Sequence, residues 1–121
     1  MSTTQSLLLV GGGKMGGALM AGWISRDIPA ANIFVVEPNS ENAAALARGH
    51  GVTAVASPDD LAANFAPGLV MFAVKPQVME AVVPPYRRFA GPDTVFLSIA
   101  AGTPISFFES HLGEDLSLIH I

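Results

Sequence analysis

The sequence predicts an α/β fold, a doubly wound parallel sheet of five or six strands with helices on both faces. Three observations predict it. Short apolar runs recur along the 121 residues and alternate with helix-forming segments, as crossover-connected parallel strands require. The runs are continuous rather than alternating with polar residues, the mark of strands covered on both faces. Charged residues make up only 13% of the chain, against about 25% in an average soluble domain, so little polar surface is available. That shortage fits a tightly packed α/β domain. It also fits a surface meant to be covered by something else, and the tail of the chain favours this second reading.

The elements follow in order. Ser6–Val10 is the first buried strand, stopped by glycines. A helix runs from about Lys14 to Arg26, with Met15, Leu19 and Trp23 spaced four apart on one face, and Asp27-Ile28-Pro29 ends it. Ile33–Val36 is the second strand. Ser40 is expected to cap a helix through Ala43–Ala47 that Gly49 and Gly51 close. Val52–Val55 is the third strand, and Ser57-Pro58-Asp59-Asp60 reads as a helix start: a capping serine, a first-turn proline, and carboxylates at the positive helix end. Leu69–Val74 is the fourth strand. Pro76 opens a helix that Pro84-Pro85 interrupts. Thr94–Ile99 is the fifth strand, and Thr103-Pro104 repeats the cap-and-proline signal before Ile105–Leu112.

Composition narrows the function classes. Net charge is −4 and the six basic residues are scattered, only Arg87 and Arg88 being adjacent. No basic stripe is present to track a phosphate backbone, so no nucleic-acid partner is expected. Cysteine is absent, and His50, His111 and His120 lie far apart, so neither thiolate chemistry nor a metal site is expected. The apolar stretch Leu7–Ile24 holds Lys14 and six glycines, which suits a tight turn better than a membrane span. Met1–Ser6 lacks the positive charge that opens a secretory signal. These features together read as a cytoplasmic protein without a membrane partner.

Gly11, Gly13 and Gly16 form G-x-G-x-x-G between the first strand and the first helix. The first glycine permits the turn out of the strand, the second lets backbone approach a pyrophosphate, and the third allows close packing of helix on sheet. Unpaired N–H groups and the positive helix end would then face the phosphates. In this context the loop reads as a Rossmann dinucleotide site; otherwise it is a glycine-rich turn that only joins strand to helix. Lys14 either adds charge near the phosphates or points to solvent. Glu37 follows the second strand about 20 residues after the loop, where an acid accepts from the adenosine ribose and favours NAD. Asn39 and Ser40 are neutral donors able to hold a 2′-phosphate, with Arg48 further along, so NADP stays open. So does the plainer alternative, in which Ser40 only caps its helix and Glu37 is solvated. After the fourth and fifth strands come Ala73-Val74-Lys75-Pro76-Gln77 and Ser98-Ile99-Ala100-Ala101-Gly102. Their small residues suit a flat nicotinamide ring, or are an ordinary loop lysine and an alanine-rich strand end.

The loop Gly11–Gly16, the segment Val74-Lys75-Pro76-Gln77 and the segment Ser98–Thr103, in this order and spacing, resemble pyrroline-5-carboxylate reductase. The likeness runs from Leu7 to about Asp115. It implies reduction of 1-pyrroline-5-carboxylate to proline with NADPH or NADH. It also implies cofactor contacts at Val10, Gly11, Gly12, Gly13, Lys14, Met15 and Gly16, at Glu37 and Asn39, at Ala73, Val74, Lys75 and Pro76, and at Ile99, Ala100 and Ala101. Many members carry a neutral residue where Glu37 stands, and Asn or Gln where Lys14 stands. Members also continue into a helical domain that forms a homo-oligomer and most of the imino-acid pocket. Residues 1–115 are thus expected to be the dinucleotide domain, inactive alone, with no catalytic proton donor assigned. Leu116–Ile121 reads as a translated remnant to be kept out of the fold, the alternative being a genuine short strand. The competing functions are another imine or deazaflavin oxidoreductase, or a non-catalytic nucleotide-binding module.

Overall fold

The computed structural model describes residues 6–11, 14–26, 28–90, 94–98, 107, 110, 112 and 117–120. Six strands form one sheet: β1 (Leu7–Val10), β2 (Ile33–Val36), β3 (Thr53–Val55), β4 (Leu69–Phe72), β5 (Val95–Ser98) and β6 (Ser117–His120). Their order is β3-β2-β1-β4-β5-β6, and every neighbouring pair is parallel. The chain winds outward from β1 to β3, then returns to the other side of β1 for β4. The reversal places a topological switch point between β1 and β4, where doubly wound sheets bind ligands.

Strand periodicity divides the core in two. Leu8, Val10, Val36, Val70, Phe72 and Phe96 face one side, with Met79, Val83, Tyr86, Phe89 and Leu112 packed over them. Leu9, Ile33, Val35 and Met71 face the other, under Met20 and Leu46 of α1 (Lys14–Ser25) and α2 (Ser40–His50). Successive side chains of a strand point to opposite faces, so an unbroken apolar run such as Leu7–Val10, buried throughout, needs cover on both. The first layer is aromatic at its centre: Phe72 meets Tyr86 edge-on at 5.5 Å between ring centroids and stacks on Phe96 at 6.0 Å.

Several expectations need correction. Asn39, not Ser40, caps α2: its side chain accepts the Asn42 N–H at 3.0 Å, and Ser40 is the first helical residue. Gly49 lies inside that helix, and Gly51 alone closes it, at φ +74°. The Ser57 signal does cap a turn, with its hydroxyl accepting the Asp59 N–H at 3.2 Å. Only a single 3-10 turn (Pro58–Asp60) follows, because Leu61 leaves it extended and is buried in the first core layer. Past Pro76 the chain makes a 3-10 turn, the short α3 (Met79–Val82) and a second 3-10 stretch (Pro84–Phe89), so the proline pair does interrupt the helix. Of the tail, residues 117–120 pair with β5 as the sixth strand, the short strand that the sequence offered as the alternative. The open edge of β5 offers a backbone ladder that an extended segment can join. The cap-and-proline signal at Thr103-Pro104 lies outside the described residues. No helix among the described residues is long and apolar enough to cross a membrane.

Candidate functional site

The carboxyl ends of β1, β2 and β4 converge at the switch point. Gly11 leaves β1 at φ +96°, a left-handed conformation that side-chain-bearing residues rarely adopt. Its N–H donates to the Val36 carbonyl at 2.9 Å, and the Val10 carbonyl accepts the Ala73 N–H at 2.9 Å. The crevice is therefore tied to both neighbouring strands. A Cβ on Gly11 would stand 2.8 Å from Val74 Cγ1 and 3.0 Å from the Ala73 carbonyl oxygen. Because the Gly11 N–H is committed to the ladder, any backbone donor for a phosphate comes from the residues after it. Gly12 and Gly13 lie outside the described residues; Lys14, Met15 and Gly16 form the first turn of α1.

Glu37 is buried, with 8% of its surface exposed. Its N–H donates to the Val55 carbonyl at 2.8 Å, and its Oε2 accepts the Asn39 N–H at 2.9 Å. The chain thus bends around Pro38 with the carboxylate turned back on it. Asn39 commits its side-chain oxygen to the start of α2. Burial is not the solvated state that the sequence left open for Glu37.

Beside Gly11 opens a cavity of about 220 Å³, walled by Val10, Val36, Pro38, Val74, Val82 and Tyr86 among others. Its walls are apolar apart from a few groups, among them Ser57, whose hydroxyl caps the 3-10 turn. Apolar walls with few polar groups are the usual lining of a site for a flat organic ring. Tyr86 is buried, and burial pushes its phenol well above the ordinary tyrosine range, with Arg88 opposing that shift. Arg88 itself lies over the Phe89 ring at 4.5 Å and donates to the Pro58 carbonyl at 3.4 Å, which fastens the far wall.

The structure thus brings Val10, Gly11, Glu37, Asn39, Ala73 and Val74 to one end of the sheet. Lys75 follows them with its side chain exposed, and Pro76 opens the next turn. Ile99, Ala100 and Ala101 lie outside the described residues. Sequence reasoning missed Pro38, Ser57, Val82 and Tyr86 as cavity walls. The one available signal was the apolar spacing of Val78, Val82 and Tyr86 after β4, which reads equally well as core.

Comparison with known proteins places this geometry. The family described as "NADP oxidoreductase coenzyme F420-dependent" matches residues 6–102. Pyrroline-5-carboxylate reductase of Pseudomonas aeruginosa is 31% identical over 112 residues, 93% of this chain and 40% of that protein. The Haemophilus influenzae protein of the same name is 32% identical over 96 residues, 79% of this chain and 34% of its own length. A solved pyrroline-5-carboxylate reductase from Coxiella burnetii superposes with a TM-score of 0.87, covering 97% of this chain and 43% of that one. At 21% identity that last likeness concerns the fold. The chain spans about two-fifths of the length of such relatives. With most of its residues matched, the chain belongs to the NADP oxidoreductase, coenzyme F420-dependent family, and it resembles pyrroline-5-carboxylate reductases over the part of them that it spans.

Proposed function

We propose that the crevice between β1 and β4 binds the nicotinamide dinucleotide of an enzyme that reduces 1-pyrroline-5-carboxylate to proline. The observation that carries this reading is the switch point between β1 and β4 with an apolar cavity opening beside Gly11. A site that needs bare backbone at the switch point, beside an apolar cavity, fits a dinucleotide: pyrophosphate along the glycines, a flat base against the cavity walls. Val10, Gly11, Gly12, Gly13, Lys14, Met15 and Gly16 would hold the pyrophosphate, Glu37 and Asn39 the adenosine ribose. Ala73, Val74, Lys75 and Pro76, with Ile99, Ala100 and Ala101, would lie against the nicotinamide end. Bound there, NADPH or NADH supplies the hydride.

The chain's own residues bind and orient the cofactor. Hydride transfer also needs the imino acid held in near-attack geometry with water excluded, and the residues assigned above serve the cofactor side. The imino-acid pocket belongs to a further helical domain, through which a cytoplasmic homo-oligomer assembles. The name and sequence likeness of the curated relatives support the reduction of pyrroline-5-carboxylate as the reaction. Titration of the purified chain with NADH and NADPH, followed by nucleotide fluorescence, tests the site, and failure to bind either one refutes it. Incubation with pyrroline-5-carboxylate and either cofactor is expected to yield no proline. Turnover would refute the division of labour.

A further inference from the structure

We infer that Glu37 makes this site select NADH against NADPH; the inference rests on reading the crevice as a nucleotide site. Three observations carry it. The carboxylate is held in place, not free to swing away: the residue is buried, its N–H is tied to Val55, and its Oε2 accepts the Asn39 N–H at 2.9 Å. A side chain so fixed cannot retreat to make room for a 2′-phosphate. Asn39, the neutral group able to meet that phosphate, has its carbonyl oxygen engaged as the cap of α2. The remaining amide nitrogen sits two residues from the carboxylate.

Charge around the start of α2 is of one sign. Glu41 in its first turn joins Glu37, and the basic residues of α2 are confined to its last turn. Arg48 stands eight residues beyond Ser40, about 12 Å along the helix axis. Arg88, which holds the Pro58 carbonyl behind the cavity wall, is turned across the Phe89 ring. A 2′-phosphate at the end of β2 would therefore meet the Glu37 carboxylate, with the basic residues of α2 at that helix's far end. The two hydroxyls of an unphosphorylated ribose instead donate to a carboxylate, a charge-assisted contact.

The test compares NADH and NADPH binding to the purified chain by calorimetry, at low and moderate salt, beside Glu37→Gln. NADH is expected to bind about thirty-fold more tightly than NADPH, the scale of one hydrogen bond to a charged group. The gap should narrow as salt rises, since repulsion is screened and a hydrogen bond much less so. Glu37→Gln keeps an acceptor for the Asn39 N–H while removing the charge. It should bring the two affinities within about threefold, by weakening NADH and strengthening NADPH. Adenosine 2′-monophosphate and adenosine 5′-monophosphate, titrated into the unaltered chain, repeat the comparison without a variant. Equal or tighter binding of NADPH by the unaltered chain overturns the inference and leaves the nucleotide site standing. Absence of binding by either dinucleotide overturns both.

Discussion

Replacing Gly11 by alanine puts the geometry of the switch point to the test. The new Cβ would lie 2.8 Å from Val74 Cγ1, 3.0 Å from the Ala73 oxygen and 3.3 Å from the Ala73 carbonyl carbon. Two of these three are backbone atoms, and the Ala73 N–H is fixed to Val10 at 2.9 Å, so relief must come through the β1–β4 ladder itself. A positive φ costs an alanine about 1–2 kcal/mol. Overpacking a close-fitted contact adds about 1–3 kcal/mol, and the stiffer unfolded chain adds up to about 1 kcal/mol to the same side of the balance as the native state, offsetting part of it. The net loss is about 3 kcal/mol, a fall of about 12 °C in the melting temperature for a domain of this size. Gly22 provides the control. It sits in α1, its Cβ would meet nothing within 4 Å, and alanine there should stabilise by about 0.5–1 kcal/mol. Thermal denaturation followed by circular dichroism measures both. If Gly11→Ala melts within a degree or so of the parent, or Gly22→Ala falls as far as Gly11→Ala, the reasoning fails.

Asn39→Ala removes the cap of α2 and should cost about 1 kcal/mol in the same denaturation experiment; an unchanged midpoint would show the cap to be idle. Thr94 is buried and its hydroxyl donates to the Pro67 carbonyl at 2.8 Å. Thr94→Val leaves that carbonyl without its donor and should cost about 1–2 kcal/mol. Tyr86 predicts an alkaline limb to the stability profile. Its folded-state pKa is raised by burial, so above about pH 10 the unfolded chain loses the phenolic proton first. Stability is then full below that pH and falls as pH rises further, by about 1.4 kcal/mol per unit. Tyr86 is the chain's single tyrosine, so tyrosinate absorbance reports it directly, and Tyr86→Phe should abolish the limb.

Elements whose signal is local were readable. Ile33–Val36 is bounded as its apolar run is, and α1 begins at Lys14, inside the glycine motif, as expected. Local signals misled where a distant partner decided the outcome. Ser57, Pro58 and two aspartates spell a helix start, yet helix propagation would turn Leu61 and Phe65 away from the sheet. Leu61 is buried instead, and Phe65 packs on Phe34 at 4.7 Å and Phe89 at 5.8 Å between ring centroids. Burial of those side chains outweighs the few tenths of a kcal/mol that each residue of an isolated helix contributes. The cavity was illegible for a similar reason: Val10, Ser57 and Tyr86 come from three separate segments and meet only once the sheet is wound. Glu37 was placed correctly at the end of β2, but its burial follows from the bend at Pro38 and the return contact from Asn39, which spacing alone does not encode.

The glycine signature and the acidic residue answer to different demands. At Gly11 the positive φ and the proximity of Ala73 and Val74 already exclude a Cβ before any ligand arrives. The first glycine of the motif therefore reports how β1 and β4 meet, and would be required by a module that binds nothing. Glu37 has no such excuse. A glutamine of the same shape would keep both the backbone tie to Val55 and an acceptor for the Asn39 N–H, so these two contacts do not call for the negative charge. On the proposed reading the carboxylate stands at the point where the ribose of a dinucleotide would lie, at the end of β2. Glu37→Gln should accordingly leave the denaturation midpoint unchanged or raise it, while weakening NADH. A large loss of stability with NADH affinity intact would assign the carboxylate to the fold.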